Sequence, residues 1–252
     1  MSTVVKNTPI LVQKYGGTSV ATAEHIRRVA KRVTAEKRKG KAVVVVVSAM
    51  GKTTDELIAL SSEISGKPPR REMDMLLHAG EIISASLLAI AIEEEGESAV
   101  SLTGSQAGMI TDESHMQARI EQVEGERILR HLTKGRVVVI TGFQGVSRQN
   151  EITTLGRGGS DTSAVAFAVG IGAGQCEILT DVDGVYTADP RIVENPQKLP
   201  WCSYDEMLEM ASLGAKVLHS RSVEIARKFE IELIVSSSVE QTPGTLVCSS
   251  QK

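Results

Sequence analysis

Short runs of apolar residues alternate along the chain with longer stretches in which apolar residues recur every three or four positions. The short runs predict β-strands, and they lie at residues 10–14, 42–48, 98–102, 136–141, 176–180 and 231–235. The second run contains five consecutive valines. A run without polar alternation predicts a strand that is buried on both faces, as in a parallel sheet.

Helical patterns lie between most of these strands. They cover residues 21–39, 54–64, 72–94, 125–132, 160–170 and 204–229, the last of them broken near Gly214. Ser203 followed by Glu206 predicts a capping box at the start of the last pattern. Strands that alternate with helices predict a three-layer α/β/α sandwich with a mainly parallel central sheet. We expect residues 1–252 to form a single domain.

One segment departs from the alternation of strands and helices. In "GFQGVSRQNEITTLGRGGSD", short extended pieces flank the turn-forming pair Gln149 and Asn150. This pattern predicts a β-hairpin that carries Thr153 and Thr154 back toward the glycine cluster that follows.

Composition narrows the classes of function. The chain has 252 residues, a net charge of −3 and 23% charged residues. It therefore lacks the excess of basic residues that favours binding to nucleic acids. Its three cysteines show no CxxC spacing, which indicates a reducing compartment and no zinc site. The N-terminus lacks the apolar run of a signal peptide, and no stretch suggests the ~20 apolar residues of a membrane helix. We expect a cytoplasmic protein with neither nucleic-acid nor membrane partners.

Three junctions that contain glycine stand where a strand or hairpin gives way to a helix: "KYGGTSV", "SAMGKTT" and "LGRGGSDTSA". Glycine lets backbone N–H groups approach a ligand closely, and a helix N-terminus attracts anions. Because ligands of open α/β sheets bind at the carboxyl ends of strands, the three junctions predict a phosphate or carboxylate site. The second junction is not a P-loop, because Val46 occupies the position of the earlier glycine.

Three rival motifs are incomplete. The glycines between Gly170 and Gly174 follow a helix and precede a strand, which is the reverse of the dinucleotide-binding order. Asp181 and Asp183 lack the further ligands of a calcium loop. The five histidines show no two-histidine metal spacing. We therefore expect no dedicated metal site.

Seven motifs occur in a fixed order: "QKYGGTSV", "VVSAMGKTTDEL", "HAGE", "TGFQG", "TTLGRGGSDTSA", "TDVDGVYTADPR" and "GAKVLHSRSVE". Together they closely resemble the catalytic domain of aspartate kinases, in the amino-acid kinase superfamily, over residues 10–245. The resemblance implies the amino-acid kinase fold, with an N-terminal part that binds aspartate and a C-terminal part that binds ATP. It implies transfer of the ATP γ-phosphoryl group to the side-chain carboxylate of L-aspartate, the first step toward lysine, threonine and methionine.

The resemblance also implies which residues act in catalysis. Lys14 would bridge the transferring phosphoryl group, Lys216 would lie over the nucleotide phosphates, and Asp161 would orient both lysines. The acceptor carboxylate, with an ordinary pKa near ~3.9, is already ionised at neutral pH and needs no general base. Catalysis then consists of neutralising the repulsion between two anions and holding them in line.

Substrate-binding residues follow from the same resemblance. The planar guanidinium of Arg157 suits the α-carboxylate of aspartate, and Glu81 suits its α-ammonium. The other residues implied at the aspartate pocket are Ser48, Thr54, Gly158, Gly159 and Ser160. Those implied at the nucleotide are Lys14, Gly16, Gly17, Thr180, Asp181, Tyr186, Arg191 and Lys216. ATP and Mg²⁺ are the implied cofactors, the ion being held mainly by phosphate oxygens and water.

Two alternatives remain open at this stage. The chain could be a non-catalytic protein of the same fold that binds an amino acid or a nucleotide, or a kinase of another acidic amino acid. The combination of Lys14, Lys216 and Asp161 favours catalysis, because a binding protein does not need all three. Ser220 stands where many members of the family have proline, which leaves Lys216 untouched.

Typical aspartate kinases continue into paired ACT modules that bind lysine or threonine, and too few residues follow Thr245 here to form one. A natural short form and an excised catalytic domain are both open. A homodimer through the kinase domain fits either case, and an ACT-domain partner chain is left open.

We expect no allosteric inhibition by lysine or threonine at millimolar concentration, because the effector site of this family is built by ACT modules. Steady-state rates with and without each amino acid test this expectation. Inhibition that persists at saturating substrate would contradict it.

Overall fold

The computed structural model describes residues 8–189, 192–215 and 217–249. Within these ranges the chain forms twelve strands, namely β1 (Ile10–Tyr15), β2 (Ala42–Val47), β3 (Ala99–Leu102), β4 (Met109–Thr111), β5 (Ile120–Val123), β6 (Val137–Thr141), β7 (Gln144–Ser147), β8 (Ile152–Thr154), β9 (Gln175–Thr180), β10 (Trp201–Ser203), β11 (Glu232–Ser237) and β12 (Thr245–Cys248). All six strand segments predicted from the sequence are present, with bounds that differ by one or two residues.

The same ranges contain seven α-helices, which are α1 (Ala23–Arg38), α2 (Thr53–Ile64), α3 (Arg70–Glu94), α4 (Glu126–Leu132), α5 (Gly159–Ile171), α6 (Tyr204–Ser212) and α7 (Ser220–Phe229). The break predicted near Gly214 is confirmed, because α6 ends before it and α7 begins after it. The predicted capping box also forms: the Ser203 hydroxyl accepts from the Glu206 N–H, and the Glu206 carboxylate accepts from the Ser203 N–H.

The eight strands of the central sheet follow the order β10-β12-β11-β9-β1-β2-β6-β3 among the described residues. Strands β11, β9, β1, β2, β6 and β3 run parallel to one another, and β12 is antiparallel to β11. Strand β2 is buried along its whole length, as its valine run predicts. The mainly parallel sheet predicted from the sequence is confirmed.

Helices cover both faces of this sheet. Val43, Val45 and Val47 point to the face on which α1 and α3 pack, where they join a core that includes Leu88. Val44 and Val46 point to the opposite face, where the core is built with α5, α6 and α7. Successive residues of a strand alternate between faces, so one run of valines contributes to both cores.

A second sheet of four strands has the order β5-β4-β7-β8, and its strand β7 begins shortly after the carboxyl end of β6. Its strands β7 and β8 form the predicted hairpin, and Asn150 in their turn adopts a φ of 64°. Strands β4 and β5 had no counterpart in the sequence prediction, and neither had β10 and β12. Each is only three or four residues long, too short to show a clear period.

Helix α3 corrects one expectation. By length and composition it is apolar enough to cross a membrane, although no such stretch was expected from the sequence. In the structure, α3 packs against α1 and the central sheet, and side chains such as Leu77, Leu88 and Ile92 are buried. Other apolar side chains of the helix, including those of Ile83, Leu87 and Ile90, are exposed.

We predict that Ser203→Ala lowers the free energy of unfolding by about 1 kcal/mol, because the substitution leaves a backbone N–H of α6 without its cap. Urea unfolding measures the change. Ser62→Ala is the matched control, since the Ser62 hydroxyl donates to the Ile58 carbonyl within α2 and caps no N–H group at the start of that helix. Equal losses in the two variants would contradict a specific role for the cap.

Candidate active site

A large cavity opens where the chain changes direction in the central sheet. The chain passes from β1 to β2 on one side and later returns to β9 on the other side of β1. Connections that leave neighbouring strands in opposite directions open a crevice at the carboxyl ends of those strands. The cavity there has a volume of about 1290 Å³.

Lys14 and Asp161 form an ion pair at the inner end of this cavity. Lys14 is near the end of β1, and Asp161 lies in the first turn of α5. The distance from Lys14 Nζ to Asp161 Oδ1 is 2.6 Å, and the two side chains are only 12% and 13% exposed. The α5 N-terminus adds partial positive charge, which favours both Asp161 and an incoming anion.

Glycines bring backbone atoms close together around this ion pair. A Cβ atom at Gly17 would lie 2.7 Å from the Ala49 carbonyl oxygen, so only glycine fits there. The Gly51 N–H donates to the Gly17 carbonyl at 3.0 Å, which joins the first two glycine junctions. At the third junction, Gly158 has a φ of 68°, and a Cβ atom there would collide with the His219 ring.

Glu81 lies in the wall of the cavity that α3 forms, and it is 3% exposed. The Ala49 N–H donates to its Oε1 at 3.2 Å, while Oε2 is buried without a hydrogen-bond partner in the described part of the chain. Burial raises the pKa of Glu81 to about 7, against the lowering effect of the Ala49 N–H. A neighbouring cation would favour the ionised form.

The raised pKa of Glu81 makes its contribution to stability depend on pH. Burial favours the protonated carboxyl, so Glu81 contributes stability that is fully present below its ordinary pKa of 4.5 and is lost as pH rises through about 7. Near neutral pH Glu81 is therefore partly ionised, and the charge of its carboxylate is poorly compensated. A ligand cation beside Oε2 would supply the missing partner.

Most of the residues predicted from the sequence lie together around the cavity. Those that line it are Lys14, Gly16, Gly17, Ser48, Thr54, Glu81, Arg157, Gly158, Gly159, Ser160 and Asp161. They come from β1 and the turn after it, the β2–α2 loop, α3, the β8–α5 loop and the first turns of α2 and α5. The structure thus brings the basic and acidic members of the predicted site into one cavity.

Three residues predicted to bind the nucleotide do not line the cavity: Thr180, Asp181 and Tyr186. The Thr180 hydroxyl donates to the Asp181 carboxylate at 3.1 Å, and the Tyr186 hydroxyl donates to that of Asp183 at 2.8 Å. Thr180 is the last residue of β9, the strand that pairs with β1, so it reaches the same sheet edge as Gly16. A nucleotide role for these residues stays a prediction.

Two further predicted residues, Arg191 and Lys216, lie outside the described residues. Their assignments to the nucleotide and to catalysis stay predictions drawn from the sequence.

The cavity also contains basic residues that were not predicted: Arg70, Arg119, His219 and Arg221. The Arg221 guanidinium donates to the carbonyls of Leu155 at 2.9 Å and Ala118 at 3.2 Å, so it supports two segments of the wall. His219 and Arg221 stand within the motif "GAKVLHSRSVE", which could have drawn attention to them. Arg70 and Arg119 carry no such signal.

The described residues contain no group of three or more His, Cys, Asp or Glu side chains that could hold a metal ion. Asp161, a carboxylate in the cavity, is already paired with Lys14. This donor set does not fit a magnesium site built by the protein alone. Retention of Mg²⁺ by nucleotide phosphates stays a prediction.

Comparison with known proteins identifies close relatives. The aspartokinase of Geobacillus stearothermophilus is 57% identical over 238 residues, which cover 94% of this chain and 58% of that protein. The chain therefore spans a little over half the length of the curated relatives it matches. The crystal structure of Synechocystis aspartate kinase has a TM-score of 0.86 at 50% identity, covering 96% of this chain and 40% of that one.

A second solved structure is that of E. coli aspartokinase III in complex with aspartate and ADP. It matches with a TM-score of 0.87 at 28% identity and covers 96% of this chain and 65% of that one. The model of the family described as "Amino acid kinase family" matches residues 9–237, nearly the whole length. Together with the sheet order and the cavity at the end of β1, this match shows that the chain belongs to the amino acid kinase family.

Proposed function

We propose that this chain is the catalytic domain of an ATP-dependent aspartate kinase, which converts L-aspartate and ATP to 4-phospho-L-aspartate and ADP. The observation that carries the proposal is the largely buried ion pair of Lys14 and Asp161 in one cavity with Glu81 and Arg157. The proposal includes the expected division into an N-terminal aspartate-binding part and a C-terminal ATP-binding part. It also includes the expected cytoplasmic location, and a homodimer remains compatible with it.

The opposite charges of the cavity suit an acidic amino acid. Glu81 offers an α-ammonium a buried carboxylate oxygen that has no hydrogen-bond partner among the described residues, and Arg157 offers a planar cation to an α-carboxylate. The hydroxyls of Ser48, Thr54 and Ser160 add polar groups to the same walls. An amino acid held by its α-ammonium and its α-carboxylate would keep its side-chain carboxylate in a fixed orientation. Phosphoryl transfer requires this positioning.

Transfer itself needs little proton chemistry. The attacking carboxylate oxygen forms a bond to the γ-phosphorus as the bond from phosphorus to the β,γ-bridging oxygen breaks, and ADP leaves with the electron pair. Lys14 would neutralise charge on the phosphoryl oxygens during this step, and Asp161 would hold its ammonium in place. The N–H groups at the start of α5 would add further positive potential. When bound, Mg²⁺ would supply further charge neutralisation to the phosphates.

A coupled assay of ADP release tests the proposed function. L-aspartate, L-glutamate and buffer alone serve as the three acceptors, and hydroxylamine traps any acyl phosphate as a hydroxamate. We expect ADP release and hydroxamate with aspartate only. Turnover with glutamate alone would identify a kinase of another acidic amino acid, and binding without turnover would identify a non-catalytic protein.

We predict that Lys14→Ala folds normally and lowers kcat on the order of 10²-fold, because the lost ammonium acts on charge that develops during transfer. Steady-state kinetics measures the change, and circular dichroism checks the fold. Lys39→Ala is the control, since Lys39 is an exposed lysine paired with Glu36 on α1. A Lys14 variant with near-normal kcat would remove this residue from the mechanism.

We predict that KM for aspartate rises about tenfold as pH falls from 8 to 6, because protonation of Glu81, with its pKa of about 7, removes the charge that binds the ammonium. KM for ATP should change little. Glu81→Gln should raise KM for aspartate at pH 8 and abolish its dependence on pH. If the wild-type profile were flat, or if both substrates were affected equally, Glu81 would not be the ammonium ligand.

A further inference from the structure

Asp74 is a fully buried acidic residue on α3 that does not line the cavity. Its carboxylate accepts from the Thr154 hydroxyl at 2.6 Å and from the Met116 N–H at 3.0 Å, and His115 Nδ1 lies 2.6 Å away. A buried carboxylate is costly unless it is hydrogen-bonded, so these contacts hold the partners firmly. The three partners come from two segments that are far from Asp74 in sequence.

The first of these segments is a wall of the cavity. Met116 and Gln117 line it directly, and Met116 has a φ of 70°, which is unusual for a residue with a side chain. Such a conformation persists only where its surroundings fix it. The hydrogen bond from the Met116 N–H to Asp74 is a contact that fixes it.

The second segment leads into the loop that carries Arg157. Thr154 is the last residue of β8, and its carbonyl accepts from the Ala118 N–H at 2.9 Å, which ties the two segments together. Leu155 follows, and its carbonyl accepts from Arg221. The start of the Arg157 loop is therefore fixed from α3 through Asp74 and from α7 through Arg221.

Asp74 and Glu81 are seven residues apart on α3, two turns along the same face of the helix. Glu81 lines the cavity, whereas Asp74 holds two other segments of its wall. One rigid helix thus sets the distance between the carboxylate of Glu81 and the loop of Arg157.

We propose that Asp74 is a positioning residue for the amino-acid end of the cavity, acting through Thr154 and Met116 on the placement of Arg157 relative to Glu81. This inference rests on the proposed function. It assigns to Asp74 no contact with substrate. If Asp74 only stabilised the fold, its loss would lower stability without raising the KM of one substrate selectively.

Thr154→Val tests the inference, because it keeps the shape of the side chain and removes the hydroxyl that bonds to Asp74. We expect KM for aspartate to rise about tenfold, with KM for ATP within about twofold of wild type. Thr154→Ser restores a hydroxyl and should return KM for aspartate toward the wild-type value, even if its melting temperature is lower. Asp74→Asn, which removes the charge but keeps an oxygen acceptor, should raise KM for aspartate in the same selective way.

Arg71→Gln is the matched control. Arg71 also connects α3 to the hairpin, through an ion pair with Glu151 at 2.9 Å, but this pair is at the surface. We expect kcat and both KM values of the Arg71→Gln variant to stay within about twofold of wild type.

Equal changes in both KM values, unchanged KM for aspartate with a lower melting temperature, or a Thr154→Ser variant no better than Thr154→Val would each overturn the inference. Should Asp74→Asn fail to fold, the two Thr154 variants decide the question. A wild-type protein without aspartate-dependent turnover would instead overturn the proposed function, so the two failures are distinct.

Discussion

The ion pair between Lys14 and Asp161 is the contact around which the cavity is arranged. Its two members come from β1, at the centre of the sheet, and from α5, which packs on that sheet. A pair this buried is stabilised only if the geometry around both charges is held accurately. Parallel neighbours on both sides fix the register of β1, and the left-handed conformation of Gly158 precedes the first turn of α5. The pair thus depends on the whole central architecture.

Much of the central sheet could be predicted from the sequence, because long apolar strands and amphipathic helices have distinct periods. The valine run of β2 is a clear case, since burial on both faces requires apolar side chains at every position. The glycine junctions of Gly17 and Gly158 could be located because each stands in the sequence between a strand or hairpin and a helix. The contacts that exclude a side chain there, with the Ala49 carbonyl and the His219 ring, involve residues distant in sequence and could not be predicted.

The second sheet and the support of the cavity could not be predicted in this way. Strands β4 and β5 are stabilised by pairing with distant residues, and their short sequences contain no period of their own. Arg119 and Arg221 reach the cavity only because remote segments fold beside it. A polar residue in a helix such as α3 is expected at an exposed position. Asp74 is instead fully buried, and its burial depends on the loop around Met116.

The close approach of Gly17 to the turn after β2 couples two stretches that are separate in sequence. The Gly51 N–H bonds to the Gly17 carbonyl, and the Ala49 carbonyl fills the space that a Cβ atom would need. A residue inserted in either turn would push against the backbone of the other turn. Backbone atoms cannot move aside as the end of a side chain can. The two turns therefore restrict each other's length, although about 30 residues separate them along the chain.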